Sequence, residues 1–265
     1  MRFDFIEKPI NLKEVPKEYP ADLCLLENNE RQIEEICEFL LDDEKSLLLV
    51  NGFKGSGKSQ VINFAINYSI NPNAVILNYT CLETTILDDM LLSFFEHFRT
   101  YTIMGKITPP KIKVDNFTQK INSYFNTITN PTLVVLDSFD AIVKENKQDV
   151  INFVKHLTKF PNIKVIVISK GLQADEFSDI KFEQVTTLPF SQKIFEKYLK
   201  AHDVKQIGAL SNELYKQSKG YYNLIRLAVN ILNVREIQLV NLLEMYSKSY
   251  MQFSEFIIRE ALALV

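Results

Sequence analysis

Short apolar runs alternate with helical segments over the first two thirds of the chain, and this alternation constrains the fold more than any other feature. The runs cover 46–51, 74–80, 132–137, 164–169 and, more weakly, 182–188. Apolar residues recur at helical spacing before the first run, over 28–41, and between later runs, over 87–101, 116–128 and 149–160. Continuous apolar runs separated by helices of about ten or more residues predict an α/β fold with a five-stranded parallel sheet and helices on both faces.

The pattern changes after Pro189, where every segment has helical periodicity and no strand pattern intervenes. We therefore predict an N-terminal arm over 1–22, a main domain over 23–189 and a small all-helical domain over 190–265. The sequence stops within the apolar pattern FSEFIIREALALV. That ending suggests a chain cut from a longer protein, although a C-terminal helix packed on the body fits equally well.

Composition excludes several classes of protein. The 265 residues are 46% hydrophobic and 24% charged, which is typical of a soluble globular protein. A net charge of −3 gives no general attraction to nucleic acid or anionic lipid. Three scattered cysteines suggest neither a disulfide framework nor a zinc site. No apolar run approaches the roughly 20 residues of a membrane span, and the N-terminus is too charged for a secretory signal. We expect a cytoplasmic protein without a membrane partner.

The segment 52–59 carries the clearest chemical motif. It matches the Walker A pattern G-x-x-x-x-G-K-[ST] in full and lies between an apolar run and a helix. Glycines allow successive N–H groups to surround phosphate oxygens, and the helix N-terminus adds partial positive charge. The predicted nucleotide-binding residues are Gly52, Phe53, Lys54, Gly55, Ser56, Gly57, Lys58, Ser59 and the adjacent Gln60. Lys58 should reach the β- and γ-phosphates of ATP or ADP, and the Ser59 hydroxyl should bind Mg²⁺.

An aspartate at the end of the third apolar run completes the predicted site. Asp137 should lie at the carboxyl edge of the sheet, where α/β proteins bind ligands. Its carboxylate can hold the water shell of Mg²⁺, so Ser59 and Asp137 are the predicted metal-binding residues. A structural Asp that caps the following loop is the alternative.

Hydrolysis needs a group that orients water beside the γ-phosphate. Ser138, directly after Asp137, cannot serve well. Asp140 and Glu83 are the candidate substitutes, although turn capping and a solvated loop acid explain them too. We predict Asp137, Asp140 and Lys58 as the catalytic group. Ser169, which ends the fourth apolar run, is a candidate sensor of the γ-phosphate.

These parts, in this order, resemble the STAND class of P-loop NTPases, relatives of the AAA+ and origin-recognition ATPases. The resemblance extends from about residue 24 to 260: a helix before Walker A, a Walker B segment over 133–140, Ser169-Lys170, and then LPF followed by helices. It implies that Gly220-Tyr221-Tyr222 takes the place of a Gly-x-Pro motif that contacts the nucleotide. Tyr222 is therefore included among the predicted nucleotide-binding residues.

This sequence departs from the STAND pattern at three positions. Tyr222 stands in place of proline, Ser138 in place of an acid, and Lys170 in place of the usual arginine. In addition, no arginine lies within 170–182, where ring-forming ATPases carry a residue for the neighbouring subunit. Lysine lacks the fork geometry of arginine, so a hexameric motor is disfavoured.

The resemblance implies a nucleotide-dependent signalling switch with slow Mg²⁺-dependent hydrolysis, and other protein domains or subunits as partners. The alternative is a DNA-associated AAA+ ATPase of the initiator or transposition type. Nucleic acid is disfavoured as a partner but left open, since the only concentrated basic cluster is Lys106, Lys111 and Lys113. A small-molecule kinase would need a lid with arginines, which the sequence does not supply.

Overall fold

The computed structural model describes residues 22–69, 73–110, 117–171, 174–204, 208–249 and 251–264. The predicted arm, apart from Asp22, and two members of the basic cluster, Lys111 and Lys113, lie outside the described residues. The chain groups into two compact units. The first, which we call the sheet unit, comprises 32–52 and 62–186; the second, the helical unit, comprises 22–31, 53–61 and 187–264.

Five strands form one sheet in the sheet unit, and every pairing is parallel. They are β1 (Leu47–Asn51), β2 (Val75–Thr80), β3 (Thr132–Asp137), β4 (Ile163–Ile168) and β5 (Glu183–Thr186), in the order β2-β3-β4-β1-β5. Every residue of β1 and β4 is buried, whereas the edge strands β2 and β5 are partly exposed. The predicted α/β fold class is confirmed, and the weaker pattern of the fifth run reflects its place at an edge.

Eleven α-helices accompany the sheet in the described part of the chain. The first six are α1 (Leu23–Asn28), α2 (Glu30–Leu41), α3 (Lys58–Ser69), α4 (Leu87–Ile103), α5 (Phe117–Thr127) and α6 (Lys144–Leu157). The other five follow the last strand: α7 (Gln192–Ala201), α8 (Ala209–Ser218), α9 (Tyr222–Val234), α10 (Leu239–Ser247) and α11 (Phe253–Leu262). Helix α1 has no counterpart in the sequence-based prediction.

Helices cover both faces of the sheet. On one face, side chains that alternate along β1–β4 pack with phenylalanines of α4, α5 and α6, including Phe94, Phe125 and Phe153. On the other face, the Lys164 amine donates hydrogen bonds of 2.5–3.0 Å to three main-chain carbonyls at and after the end of α2. Successive residues of a strand point to opposite faces. Val165 of β4 therefore packs in the phenylalanine-rich layer, and Lys164 bonds to the layer that contains α2.

Within the helical unit, two asparagines at the end of α1 bond to the segment that follows β5. The Asn28 side chain bonds to the main chain of Leu188, Pro189 and Ser191, and the Asn29 side chain accepts the Leu188 N–H.

The predicted division at 188–190 remains a prediction, because compactness alone does not show which segments fold independently. None of the described helices combines the length and apolar character needed to cross a membrane.

Candidate functional site

The Walker A loop leaves the carboxyl end of β1 and turns directly into α3. Gly55 and Gly57 have φ angles of +84° and +88°, a region that residues with side chains avoid. A Cβ at Gly57 would lie 2.7 Å from the Leu25 side chain of α1. No acidic residue occupies the first turn of α3, so its positive end is not neutralised from within the helix. The loop has the backbone that phosphate binding requires.

The side chains of the loop make contacts within the helical unit. The Lys58 amine donates to the Phe53 carbonyl at 3.0 Å, so it lies back over the loop. The buried hydroxyls of Ser56 and Thr187 share a hydrogen bond of 2.8 Å. This bond ties the loop to the segment that follows β5. The Lys58 amine is thus held close to the main chain that would surround a phosphate.

The start of α9 lies against the same loop. The Asn223 N–H donates to the Gly55 carbonyl at 2.9 Å, and the Phe53 and Tyr221 ring centroids are 5.3 Å apart. No side chain caps α9 at Tyr221, so the Gly55 carbonyl satisfies one of the N–H groups left open at a helix start. The loop conformation and the beginning of α9 therefore depend on each other.

The turn before α9 needs a glycine. Gly220 has a φ of +72°, and a Cβ there would lie 2.7 Å from the Phe190 carbonyl oxygen. The Phe190 N–H donates to the Gly220 carbonyl at 2.8 Å. The predicted turn Gly220–Asn223 is therefore fixed against the segment after β5 on one side and the Walker A loop on the other.

Tyr222 is buried, with 3% of its surface exposed. Its ring packs against Phe190 at 5.5 Å, and its hydroxyl hydrogen-bonds with the Asp22 and Gln60 side chains. Burial, reinforced by the nearby Asp22 carboxylate, raises the pKa of the Tyr222 hydroxyl to about 12. The hydroxyl is thus a neutral link between α9, α1 and the first turn of α3.

The Gln60 side chain shows whether the residues around the loop are suited to a nucleotide. Its Oε1 is buried and has no hydrogen-bond partner among the described residues. A buried acceptor without a donor is costly, and a bound ligand or water with an N–H or O–H group can satisfy it. Together with the positive-φ loop and the uncompensated start of α3, this acceptor fits a ligand that carries phosphates and polar hydrogens.

The predicted acids lie in the sheet unit. Asp137 ends β3, and its Oδ1 accepts the N–H of Ser138, a residue with a left-handed φ of 58°. Asp140 accepts the Lys170 N–H at 2.9 Å and lies 3.8 Å from the Lys170 amine. It therefore anchors the chain that leaves β4, in addition to any role with a ligand.

The two remaining candidates differ in burial. Ser169 is 1% exposed, and its hydroxyl accepts the Gly171 N–H at 3.3 Å. Glu83 is exposed in the loop after β2. The predicted site residues thus form two groups, one around the Walker A loop in the helical unit and one at the carboxyl edge of the sheet.

Sequence reasoning missed several residues that shape the site. Leu25 limits the space at Gly57, Asp22 bonds Tyr222, and Thr187 bonds Ser56. Asp22 carries the one usable signal: its carboxylate caps α1 by accepting the N–H groups of Cys24 and Leu25, and Asp is favoured at that position. Leu25 and Thr187 matter only because the fold brings them to the loop.

Many solved structures have a similar fold, and three of them follow; no family model and no curated protein matches the chain. Cdc6p from Pyrobaculum aerophilum aligns over 86% of this chain and 65% of its own, with 11% identity and a TM-score of 0.55. A STAND protein with a tetratricopeptide repeat sensor from Pyrococcus horikoshii aligns over 89% and 32%, with 13% identity and a TM-score of 0.51. Drosophila ORC bound to DNA aligns over 84% and 64%, with 14% identity and a TM-score of 0.53.

At these identities the similarity concerns the fold. The chain has the fold shared by AAA+-type and STAND P-loop ATPases, which confirms the predicted resemblance at that level. It spans less than two thirds of the length of each of these three proteins.

Proposed function

We propose that the chain binds ATP and ADP with Mg²⁺ and acts as a nucleotide-dependent switch with slow hydrolysis. One observation carries the proposal: the Gly55 carbonyl of the Walker A loop accepts the Asn223 N–H at the start of α9. If a bound phosphate changes the conformation of the loop, this hydrogen bond must change too. If the loop conformation with the bond intact is the one that binds phosphate, the bond favours phosphate binding. The state of the nucleotide is thereby linked to the helical unit, which is what a switch requires.

In this proposal the loop N–H groups and Lys58 bind the β- and γ-phosphates. The Ser59 hydroxyl and the Asp137 carboxylate hold Mg²⁺ and its water shell, because Mg²⁺ prefers oxygen ligands and keeps several waters. Bound Mg²⁺ would neutralise phosphate charge. Gln60, Ser169 and Tyr222 complete the proposed nucleotide-binding residues.

Titration calorimetry with ADP and Mg²⁺ tests the phosphate site. We expect Lys58→Ala to weaken ADP binding at least tenfold and to leave the fold intact, because the amine meets phosphate charge and not the core. Lys200→Ala removes an exposed lysine of α7 and serves as the control. An unchanged ADP affinity in Lys58→Ala would remove the phosphate-site assignment.

Slow hydrolysis follows from the residues around Asp137. Ser138 cannot act as a base, and the Asp140 carboxylate is engaged by Lys170. We expect turnover well below the roughly 1–100 s⁻¹ of kinases. Asp140→Asn should lower the residual turnover, and Glu83→Gln should leave it unchanged because Glu83 is exposed in a loop. Steady-state turnover within the kinase range would contradict the proposal.

The second candidate is a DNA-associated ATPase, and the observation that favours it is the similar fold of Drosophila ORC in its complex with DNA. Fluorescence anisotropy with labelled duplex and single-stranded DNA at about 0.15 M salt separates the two candidates. Submicromolar binding that ATP strengthens would favour the DNA-associated ATPase. Absence of binding alongside normal ADP affinity would favour the switch.

A further inference from the structure

A cavity of about 660 Å³ opens within the helical unit beside the Walker A loop. Small-molecule sites in proteins occupy roughly 300–1,000 Å³, so its size suits a small organic ligand. Of the loop residues, Lys54 and Gly55 line it in the described part of the chain. The remaining walls come from the end of α8, the first half of α9, the end of α10 and the beginning of α11.

The walls are mainly apolar and aromatic. Leu224 and Leu227 of α9 and Ile258 of α11 line the cavity. Tyr246 packs edge-on against Phe253, with ring centroids 5.1 Å apart. Interlocked rings of this kind lose little conformational freedom when a flat apolar group binds beside them.

The charges around the cavity have one sign. Lys54 and Lys219 both line it, and no aspartate or glutamate does so among the described lining residues. Lys219 directly follows the last residue of α8 and has a left-handed φ of 52°. This backbone conformation fixes the position of its Cα and Cβ atoms. Gln217 and Gln252 also line the cavity. An apolar body with a negative group matches this lining.

We propose that this cavity is a binding site for a small organic anion with an aromatic or apolar body; it adjoins the predicted nucleotide site and shares Lys54 and Gly55 with it, but neither Lys58 nor Ser59 lines it. A ligand there contacts Gly55 and Asn223, the two residues joined by the bond between the loop and α9. It therefore biases the same contact that the nucleotide biases. This coupling, unlike the site itself, rests on the proposed function.

The site is tested by fluorescence titration of the whole chain with 1-anilinonaphthalene-8-sulfonate. N-phenyl-1-naphthylamine, which has the same rings without the sulfonate, is the matched neutral probe. We expect one sulfonate probe per chain and at least tenfold weaker binding of the neutral probe. Equal binding of the two probes, or no saturable binding, would overturn the proposal.

Substitutions locate the bound probe. Ile258→Trp should fill the cavity and weaken the sulfonate probe at least tenfold; Ile258 is 48% exposed, so the larger ring need not disturb the core. Leu92→Trp, at an exposed position of α4 that does not line the cavity, is the control. Lys219→Gln should reduce the preference for the sulfonate, whereas Lys216→Gln, one turn earlier on α8, should not. Unchanged binding in Ile258→Trp would overturn the site.

A final measurement separates this site from the phosphate site. In Lys58→Ala, binding of the sulfonate probe should persist although ADP affinity is lost, and loss of both would overturn a separate site. In the wild-type chain, saturating probe should change ADP affinity at least threefold, and saturating ADP should change probe affinity by the same factor. If ADP does not bind at all, the proposed function fails while the probe results still decide the cavity.

Discussion

At the scale of single residues, the Walker A loop depends on positions where no side chain fits. Gly57 combines a φ of +88° with a neighbour, Leu25, that occupies the space of a Cβ. Gly105 has a φ of +71° but nothing within 4 Å of such a Cβ. Substitution of Gly105 by alanine therefore measures the free-energy cost of the positive φ alone. Substitution of Gly57 measures that cost together with the cost of the contact with Leu25.

We expect Gly57→Ala to lower the free energy of unfolding by more than Gly105→Ala, whose cost should be about 1–2 kcal/mol from the positive φ alone. Urea denaturation of both variants measures this difference. ADP affinity should fall in Gly57→Ala because the loop must shift. Leu25→Ala removes a fully buried side chain, but it should cost less stability in the Gly57→Ala background than in the wild type, because it relieves the contact. Equal losses in the two single variants would show that the contact with Leu25 costs nothing.

At the scale of secondary-structure elements, a buried lysine joins α2 to the sheet. Lys164 is 2% exposed, lies over the Phe39 ring at 5.0 Å, and donates to the carbonyls of Phe39, Asp42 and Lys45. Burial lowers its pKa to about 8, although the Asp42 and Asp43 carboxylates act in the opposite direction. Its hydrogen bond to Phe39 supplies a donor to a carbonyl in the last turn of α2, where carbonyls lack partners within the helix.

We expect Lys164→Met to reduce the free energy of unfolding by roughly 1–3 kcal/mol at pH 7, because it leaves buried carbonyls without donors. Lys159→Met, at an exposed position, is the control. The lowered pKa adds a pH dependence. Between pH 8 and about 10.5 the unfolded chain binds more protons at Lys164 than the folded chain, so stability rises with pH, by up to about 1.4 kcal/mol per unit.

The Lys164→Met variant lacks this rise, so the wild type should gain stability relative to it between pH 8 and 9.5. The Cys24 and Cys37 thiols, whose pKa values burial raises to about 11, act in the opposite direction above pH 9. Both proteins contain them, and their effect cancels in the difference. Parallel pH profiles in urea denaturation would contradict the lowered pKa.

At the scale of the whole molecule, the proposed nucleotide should stabilise the folded chain by mass action. ADP with Mg²⁺ at about 100 times its Kd should raise the free energy of unfolding by about 2.7 kcal/mol. Asp137→Asn should reduce the part of this gain that Mg²⁺ supplies, whereas Lys58→Ala, with affinity at least tenfold weaker, should remove at least about half of it. Denaturation with ADP in Mg²⁺ or in chelator distinguishes the two contributions. Equal stabilisation in all three proteins would mean that ADP binds elsewhere.

The sequence by itself determined the sheet, its parallel strands and the location of the Walker A loop. These features follow from local patterns: continuous apolar runs such as 164–169 suit strands buried on both faces, and the spacing within 52–59 is specific. Helix α1 escaped prediction because six residues give too little periodicity. The exposed residues of the edge strand β5 made its strand pattern the weakest of the five.

Only the tertiary structure decided which residues surround the loop. Leu25, Thr187 and Asn223 contact it from segments that lie far apart in the chain. Asn223 directly follows the predicted Gly220-Tyr221-Tyr222, but nothing in the residues around Leu25 and Thr187 marks them, because contacts between distant segments depend on packing and not on local periodicity. The same holds for the cavity beside Lys54, whose apolar walls follow the spacing of ordinary core residues. Its two lysines, Lys54 and Lys219, line one cavity only because the fold brings the Walker A loop and the end of α8 together.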